Sequence, residues 1–194
     1  MTDHNAAYLD ADAIGRLGFA EVGDDVRIHA TAVVANCEAI SIGSNVRIDA
    51  FTVLSAGTSI TIADHVHIGS HCSLVGSEAI EIADFCGISH GTRIFSASDD
   101  YSGHALTGPT VPAEFRQITS GPVRLGRHVI IGSNTIVLPA VDIGEGAAIG
   151  AMSLVTKSLQ GWTVYAGCPA IAIGTRSKAL LEKAEAFRKS SWAT

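Results

Sequence analysis

The chain is short of the features that most often identify a partner or a covalent frame. Only 16% of its 194 residues are charged and 6% aromatic, and Asp+Glu outnumber Lys+Arg 19 to 13, for a formal charge of -6. A basic footprint for nucleic acid or an anionic membrane is therefore missing. Cys37, Cys72, Cys86 and Cys168 form no CxxC pair and have no histidine at zinc-finger spacing. That argues against a structural zinc site or a disulfide frame and leaves buried free thiols as the expectation. The opening MTDHNAAYLDADAIGRLGF lacks the basic and apolar regions of an export signal, and no run of about eighteen apolar residues occurs. A cytoplasmic protein is expected, and the length suits a single domain.

What the chain does hold is glycine, 20 of them, together with many small and β-branched residues. That mixture suits short strands and tight corners better than a helical bundle. A period confirms the direction. Aliphatic anchors fall at Val22, Ile28 and Val34, then Ile42, Ile48 and Leu54, then Ile62, Ile68 and Leu74, then Ile82, Ile88 and Ile94. After a break they resume every six residues at Leu125, Ile131, Val137, Ile143, Ile149 and Val155. The residue after an anchor is often Gly or Ala, and the residue four after it is small or β-branched, as at Val46, Thr52, Cys72, Thr92, Thr135 and Ser153. Each hexad thus reads as a short strand plus a turn with two inward positions, and three hexads close one triangular coil. Stacked at strand spacing of roughly 4.8 Å, the coils bury a column of Ile, Leu and Val. The fold class expected is all-β, a parallel β-helix. Hexapeptide solenoids wind left-handed, against the usual right-handed crossover.

The two extra residues in CEAISI, GTSITI and SEAIEI should bulge at one corner. Residues 96–121, SASDDYSGHALTGPTVPAEFRQITSG, interrupt the coil and should project as a functional loop. Leu180, Leu181, Ala184 and Phe187 have helical spacing, so a terminal helix capping the open coil is expected. A shorter helix over Ala6 to Phe19 should cap the other end. The organisation is then a helical cap over 1–21, a β-helix over 22–174 with its loop, and a helix over 175–194.

IGEGAAIGAMSLVTKSL followed by VYAGCPA resembles the C-terminal signature of bacterial hexapeptide acetyltransferases, the group acting on galactosides, maltose and xenobiotics. FSASDDYSG with PTVPAEF is most similar to the branch from polysaccharide and lipopolysaccharide biosynthesis, which acetylates a sugar hydroxyl or amine. The resemblance implies a left-handed β-helix, a homotrimer, and acetyl-CoA as co-substrate in the groove between two prisms. Carried over, Ser133, Ala151, Thr156 and Lys157 would line the cofactor and Arg176 would meet a CoA phosphate.

Acyl transfer needs a base for the acceptor proton and donors for the oxyanion. In the galactoside-type relatives a histidine follows an aliphatic, aromatic, small, small run. Aligning that run with Ile94, Phe95, Ser96 and Ala97 puts Asp99 there instead. Three repairs stay open: His104 in the same loop, Asp99 or Asp100, or a histidine on a coil face. Register places His90 in one column with Ser70 and Ser133, beside the implied groove. Asp100 and Tyr101 are candidates for substrate contact, although adjacent carboxylates also cap turns. Loss of the usual histidine favours an amine acceptor, because a neutral amine is already nucleophilic. Two other function classes compete. A zinc enzyme of the γ-carbonic-anhydrase type would use His65, His67 and His71, and a non-catalytic scaffold would use the loop as an interaction arm.

Overall fold

The computed structural model describes residues 7–191. Its body is a prism of three parallel sheets, one strand per face per coil. The first face stacks Glu21–Val22, Ile40–Ile42, Ile60–Ile62, Ile80–Ile82, Val123–Leu125 and Asp142–Ile143. The second stacks Arg27–Ile28, Arg47–Ile48, His67–Ile68, Gly87–Ile88, Ile130–Ile131, Ala148–Ile149 and Thr163–Ala166, with Ile171–Thr175 antiparallel at its edge. The third runs from Val33–Ala35 to Leu154–Val155. Four coils precede the loop and two follow it, and Leu159 and Tyr165 begin a seventh.

The sixfold period works because each anchor is an inward position on one face, and the coil above repeats it in register. Ile48, Ile68, Ile88 and Ile131 are aligned partners and are fully buried. Each such side chain contributes about 1.5 to 3 kcal/mol relative to exposure. Val22 and Val34 obey the same period but are exposed and half-buried, respectively, because no coil lies beneath the first. The second inward position explains the polar residues in the core. Thr52, Cys72, Thr92 and Thr135 each donate to the carbonyl of the corner residue one coil on, Gly69, Ser89, Gly132 and Gly150, at 3.0, 3.2, 3.4 and 3.1 Å. A buried hydroxyl is tolerable only with such a partner. This ladder fastens the corner that carries His90 and Ser133.

Burial pushes the Cys72 thiol to about 11 and the Cys86 thiol to about 12, so neither is a thiolate at neutral pH. Cys168 departs from the buried-thiol expectation and is exposed.

The corner between the third and first faces takes the extra two residues of the early coils, including a 3-10 turn at Cys37–Ala39. The loop leaves from that same corner. Ser96 is fully buried, bonded through Oγ to the Glu78 backbone, and its carbonyl accepts the Gly121 N–H at 3.0 Å, closing the neck. Beyond the neck Ala97–Asp99 pairs antiparallel with Ile118–Ser120.

The expected N-terminal helix starts outside the described residues. Within them α1 covers only Ala11–Arg16, capped by Asp10, whose carboxylate accepts from the Ala13 N–H at 2.7 Å. The C-terminal helix α2, Leu180–Ser191, does not lie across the open coil. It packs along the corner between the first and second faces, where His65, Phe85 and His128 stack one per coil at ring separations of 4.8 and 5.2 Å. All three have positive φ, the corner conformation. Phe187 meets His65 and Phe85 edge-on.

His128 is buried in this ladder, and burial holds its imidazole below the ordinary 6.5, aided by Arg127, Arg188 and Arg176 and opposed by Glu145. The unfolded ring therefore binds protons where the docked ring does not. The stabilisation is complete above about pH 6.5 and lost as pH falls below it. Amide-exchange protection of α2 should drop between about pH 7.5 and 5.5, and His128→Phe should flatten that dependence. Unchanged protection in the parent protein would contradict the argument.

Candidate functional site

The second-to-third-face corner repeats the sequence anchor, corner residue, outward residue, and the register of the sheets sets its columns. Ser70, His90, Ser133 and Ala151 stand one above another, as the spacing predicts. The contact is direct at His90, whose Nδ1 accepts the Ser70 N–H at 3.0 Å, with Ser70 Oγ also at 3.0 Å. A neutral imidazole that accepts at Nδ1 carries its proton on Nε2. The nitrogen that His90 offers outward is thus a donor. Higher in the column no acceptor within the chain meets the N–H of Ser133 or Ala151, among the described residues. Free outward N–H groups are what an amide-rich arm such as pantetheine requires. Thr156 and Lys157 follow the last third-face strand and are exposed.

Arg176 is tied down. One of its guanidinium nitrogens donates to the carbonyls of His128, Gly146 and Ala147 at 2.7, 3.1 and 3.2 Å, anchoring the chain just before α2. Burial lowers its pKa.

The loop separates its two aspartates. The Asp100 carboxylate accepts the N–H groups of Ser102, His104 and Ala105 at 2.8, 2.9 and 3.2 Å, and these hydrogen bonds, led by Ser102, lower its pKa. It organises the turn that carries His104, whose Nδ1 is held by Ser102 Oγ. Tyr101 is 94% exposed. Asp99 is different: half-buried in the pairing strand, it accepts only a long 3.4 Å bond from the Gly108 N–H and keeps acceptor capacity. His90 and Asp99 stand beyond opposite ends of the third-face strand Arg93–Phe95. Among the described residues no hydrogen bond joins them within one chain.

The three histidines weighed for zinc have separate partners. His65 stacks on Phe85, His71 leans on Phe51 with ring centroids 5.0 Å apart, and His67 Nε2 meets Asp49 at 2.8 Å. Among the described residues no three His, Cys, Asp or Glu side chains are grouped to hold a metal. Sequence reasoning missed what surrounds Asp49. It is only 8% exposed and accepts from Tyr8 Oη at 3.0 Å, Arg47 Nε at 2.7 Å and His67 at 2.8 Å. Burial would raise its carboxyl, yet the bonds from His67, Arg47 and Tyr8 outweigh it and hold it below the usual range. Spacing gave no signal, since the partners lie 41, 2 and 18 residues away.

Comparison with known proteins places this geometry. Residues 122–157 match the bacterial transferase hexapeptide family model. The chain is 45% identical over 186 residues, 95% of its own length and 97% of the relative's, to a dTDP-4-amino-4,6-dideoxy-D-glucose acyltransferase of Escherichia coli. It superposes on AntD, an N-acyltransferase from Bacillus cereus in complex with dTDP and coenzyme A. A variant of AntD with a serine replaced by threonine gives a TM-score of 0.94 at 41% identity over 96% of this chain and 100% of that one. A variant with an aspartate ten positions further along replaced by asparagine gives 0.92 at 40% over 95% and 99%. With a countable hexad period, a three-faced parallel coil and likeness along nearly its whole length, the chain belongs to the left-handed β-helix, hexapeptide-repeat acyltransferases.

Proposed function

We propose that the protein transfers an acetyl group from acetyl-CoA to the amine of a nucleotide-linked 4-amino sugar. The observation that carries this is the likeness along almost the whole chain to an acyltransferase of a dTDP-linked amino sugar. A detail of residue spacing supports it. Ser89 is the only serine of the chain followed ten residues later by an aspartate, Asp99, the spacing of the two positions altered in AntD. We therefore take Asp99 as the base and Ser89 as its neighbour at the acceptor. His104 and Asp100 are better explained by their contacts in the turn.

The chemistry suits a carboxylate. The amine attacks the thioester carbonyl and becomes strongly acidic as its nitrogen gains positive charge, so Asp99 takes the proton late. As the C–S bond breaks that proton is passed to the departing sulfur, so that CoA leaves as thiol and Asp99 returns to its carboxylate. The Nε2–H of His90 is disposed to meet the oxyanion. Ser133 and Ala151 would hold the pantetheine through their N–H groups, with Thr156 and Lys157 beyond them, and Lys157 supplies a point charge for a phosphate.

Because one strand separates His90 from Asp99, we place the site between protomers of a homotrimer, with the loop of one set against the corner of the next. Exposed apolar residues along that corner, Phe51 at 56% and Met152 at 70%, with Leu106, Phe115 and Ile118 on the loop, support such an assembly. The reaction would run in the cytoplasm, in the building of lipopolysaccharide.

The test is CoA release from acetyl-CoA with dTDP-4-amino-4,6-dideoxyglucose and with its 4-hydroxyl counterpart. Saturable turnover is expected on the amine. Faster turnover on the hydroxyl, or on a sugar with no nucleotide, would overturn the proposal.

A further inference from the structure

The outward side of the second face changes character along the prism. Its first three coils present Arg27, Arg47 and His67 in one column, aligned partners at roughly 4.8 Å steps. The next position in that column is Gly87, where an added Cβ would meet only Ile130 Cγ1, at 3.9 Å. The neighbouring column runs Asp49, Gly69, Ser89. A column of nitrogen donors thus gives way to a bare patch, and the bare patch ends at Ser89 and His90.

The donor end is built rather than incidental. Asp49, nearly inaccessible, grips Arg47 through Nε and His67 through Nε2, while Tyr8 donates to the same carboxylate. The Arg27 and Arg47 guanidinium groups lie 6.0 and 5.7 Å from the Tyr8 ring centroid. The single carboxylate fixes Arg47 and His67, yet leaves them about half exposed, at 53% and 48%. On a chain with a formal charge of -6 this is a preorganised site for a compact anion.

We infer that Arg47, His67 and Arg27 form the subsite for the diphosphate of the nucleotide-linked acceptor. The inference rests on the acceptor class proposed above and adds where its anionic part is held. The dimensions agree. His67 and Ser89 are one coil step and two strand positions apart, Arg47 and Ser89 two coil steps and two strand positions, roughly 8 and 12 Å. A pyranose laid over Gly87 and Gly69 spans that interval, with its amine toward Ser89 and its anomeric phosphate toward His67. Arg47 supplies the planar donor edge that suits phosphate oxygens, and Asp49 is a positioning residue that fastens it.

The probe is dTDP alone, titrated calorimetrically into the full-length protein, alongside steady-state kinetics with the dTDP-amino sugar. Arg47→Met should weaken dTDP binding and raise KM for the acceptor by at least about tenfold, with kcat and the KM for acetyl-CoA within about twofold. Asp49→Asn should raise the same KM less, by about threefold, because it loosens the arginine without removing it. Arg27→Met provides a second reading should Arg47→Met lower the melting temperature. Arg127→Met, which removes a charge paired with Glu145 near another corner, should change nothing. Unaltered dTDP affinity in both Arg47→Met and Arg27→Met overturns the subsite, as does equal weakening in Arg127→Met or a parent protein that binds no dTDP. A parent protein that binds dTDP through Arg47 yet acylates no amino sugar would instead sink the proposed reaction and leave the subsite standing.

Discussion

Asp99→Ala is expected to lower kcat on the amino-sugar acceptor by at least about a hundredfold, the usual scale for losing a general base. Its melting temperature should hardly move, because the carboxylate makes only one long bond, to Gly108. The informative step is mixing. Protomers carrying Asp99→Ala and protomers carrying His90→Ala should each be nearly inactive alone. If the site is shared across a head-to-tail interface, random trimers assembled from equal amounts regain roughly a quarter of the parental activity, since one interface in four combines an intact corner with an intact loop. A site within one chain gives no recovery, because no protomer in the mixture holds both residues. Zero recovery with proven subunit exchange would therefore remove the interprotomer site and return the problem to the loop alone.

His90→Ala should cost about a hundredfold in kcat, a value typical for loss of one oxyanion donor. His90→Asn separates donor from base. An amide retains an N–H to offer, so it should recover most of the loss, to within about tenfold of the parent, whereas no base survives that change. Equal loss in the two variants would restore His90 as the proton acceptor. The Ser70 N–H supports this expectation: it occupies Nδ1, and a neutral imidazole so engaged has no second lone pair to present.

The fold was legible in the sequence because the same physical demand recurs every six residues. Ile28, Ile48, Ile68, Ile88, Ile131 and Ile149 occupy one buried column, and any register error would turn the whole set outward. For the same reason the His90–Ser133 column is legible in the sequence, since stacking converts sequence offset into spatial neighbourhood. Legibility fails where contacts do not repeat. The spacing of Leu180, Ala184 and Phe187 announces an apolar helical face but not the surface it seeks, and α2 chose the His65–Phe85–His128 flank over the open end. Asp100 looked like a substrate ligand because a carboxylate in a polar loop has either use, and only the three N–H groups around it decide for the turn. Asp49 followed an anchor, where small residues are the rule, and its partners come from separate coils and from the N-terminal segment. No single-chain periodicity marks such a meeting. Arg176 has a similar lesson, its three carbonyl partners lying 48, 30 and 29 residues earlier.

The neck of the loop has a consequence for how such a protein changes over generations. Residues 97–120 enter and leave through a single closure at Ser96 and Gly121, at a corner whose length already varies between early and late coils. Above and below it the strands Ile80–Ile82 and Val123–Leu125 pair as if nothing intervened. Lengthening a closed loop costs little, about 0.6 kcal/mol per doubling. The segment carrying Asp99 is therefore free to be rewritten, shortened or exchanged between lineages without renegotiating the core. The column bearing His90 has no such freedom, because its backbone is the wall of the prism. On the proposed assignment of His90 and Asp99, one half of the reaction centre is inherited with the architecture, and the other is an accessory that selection can edit.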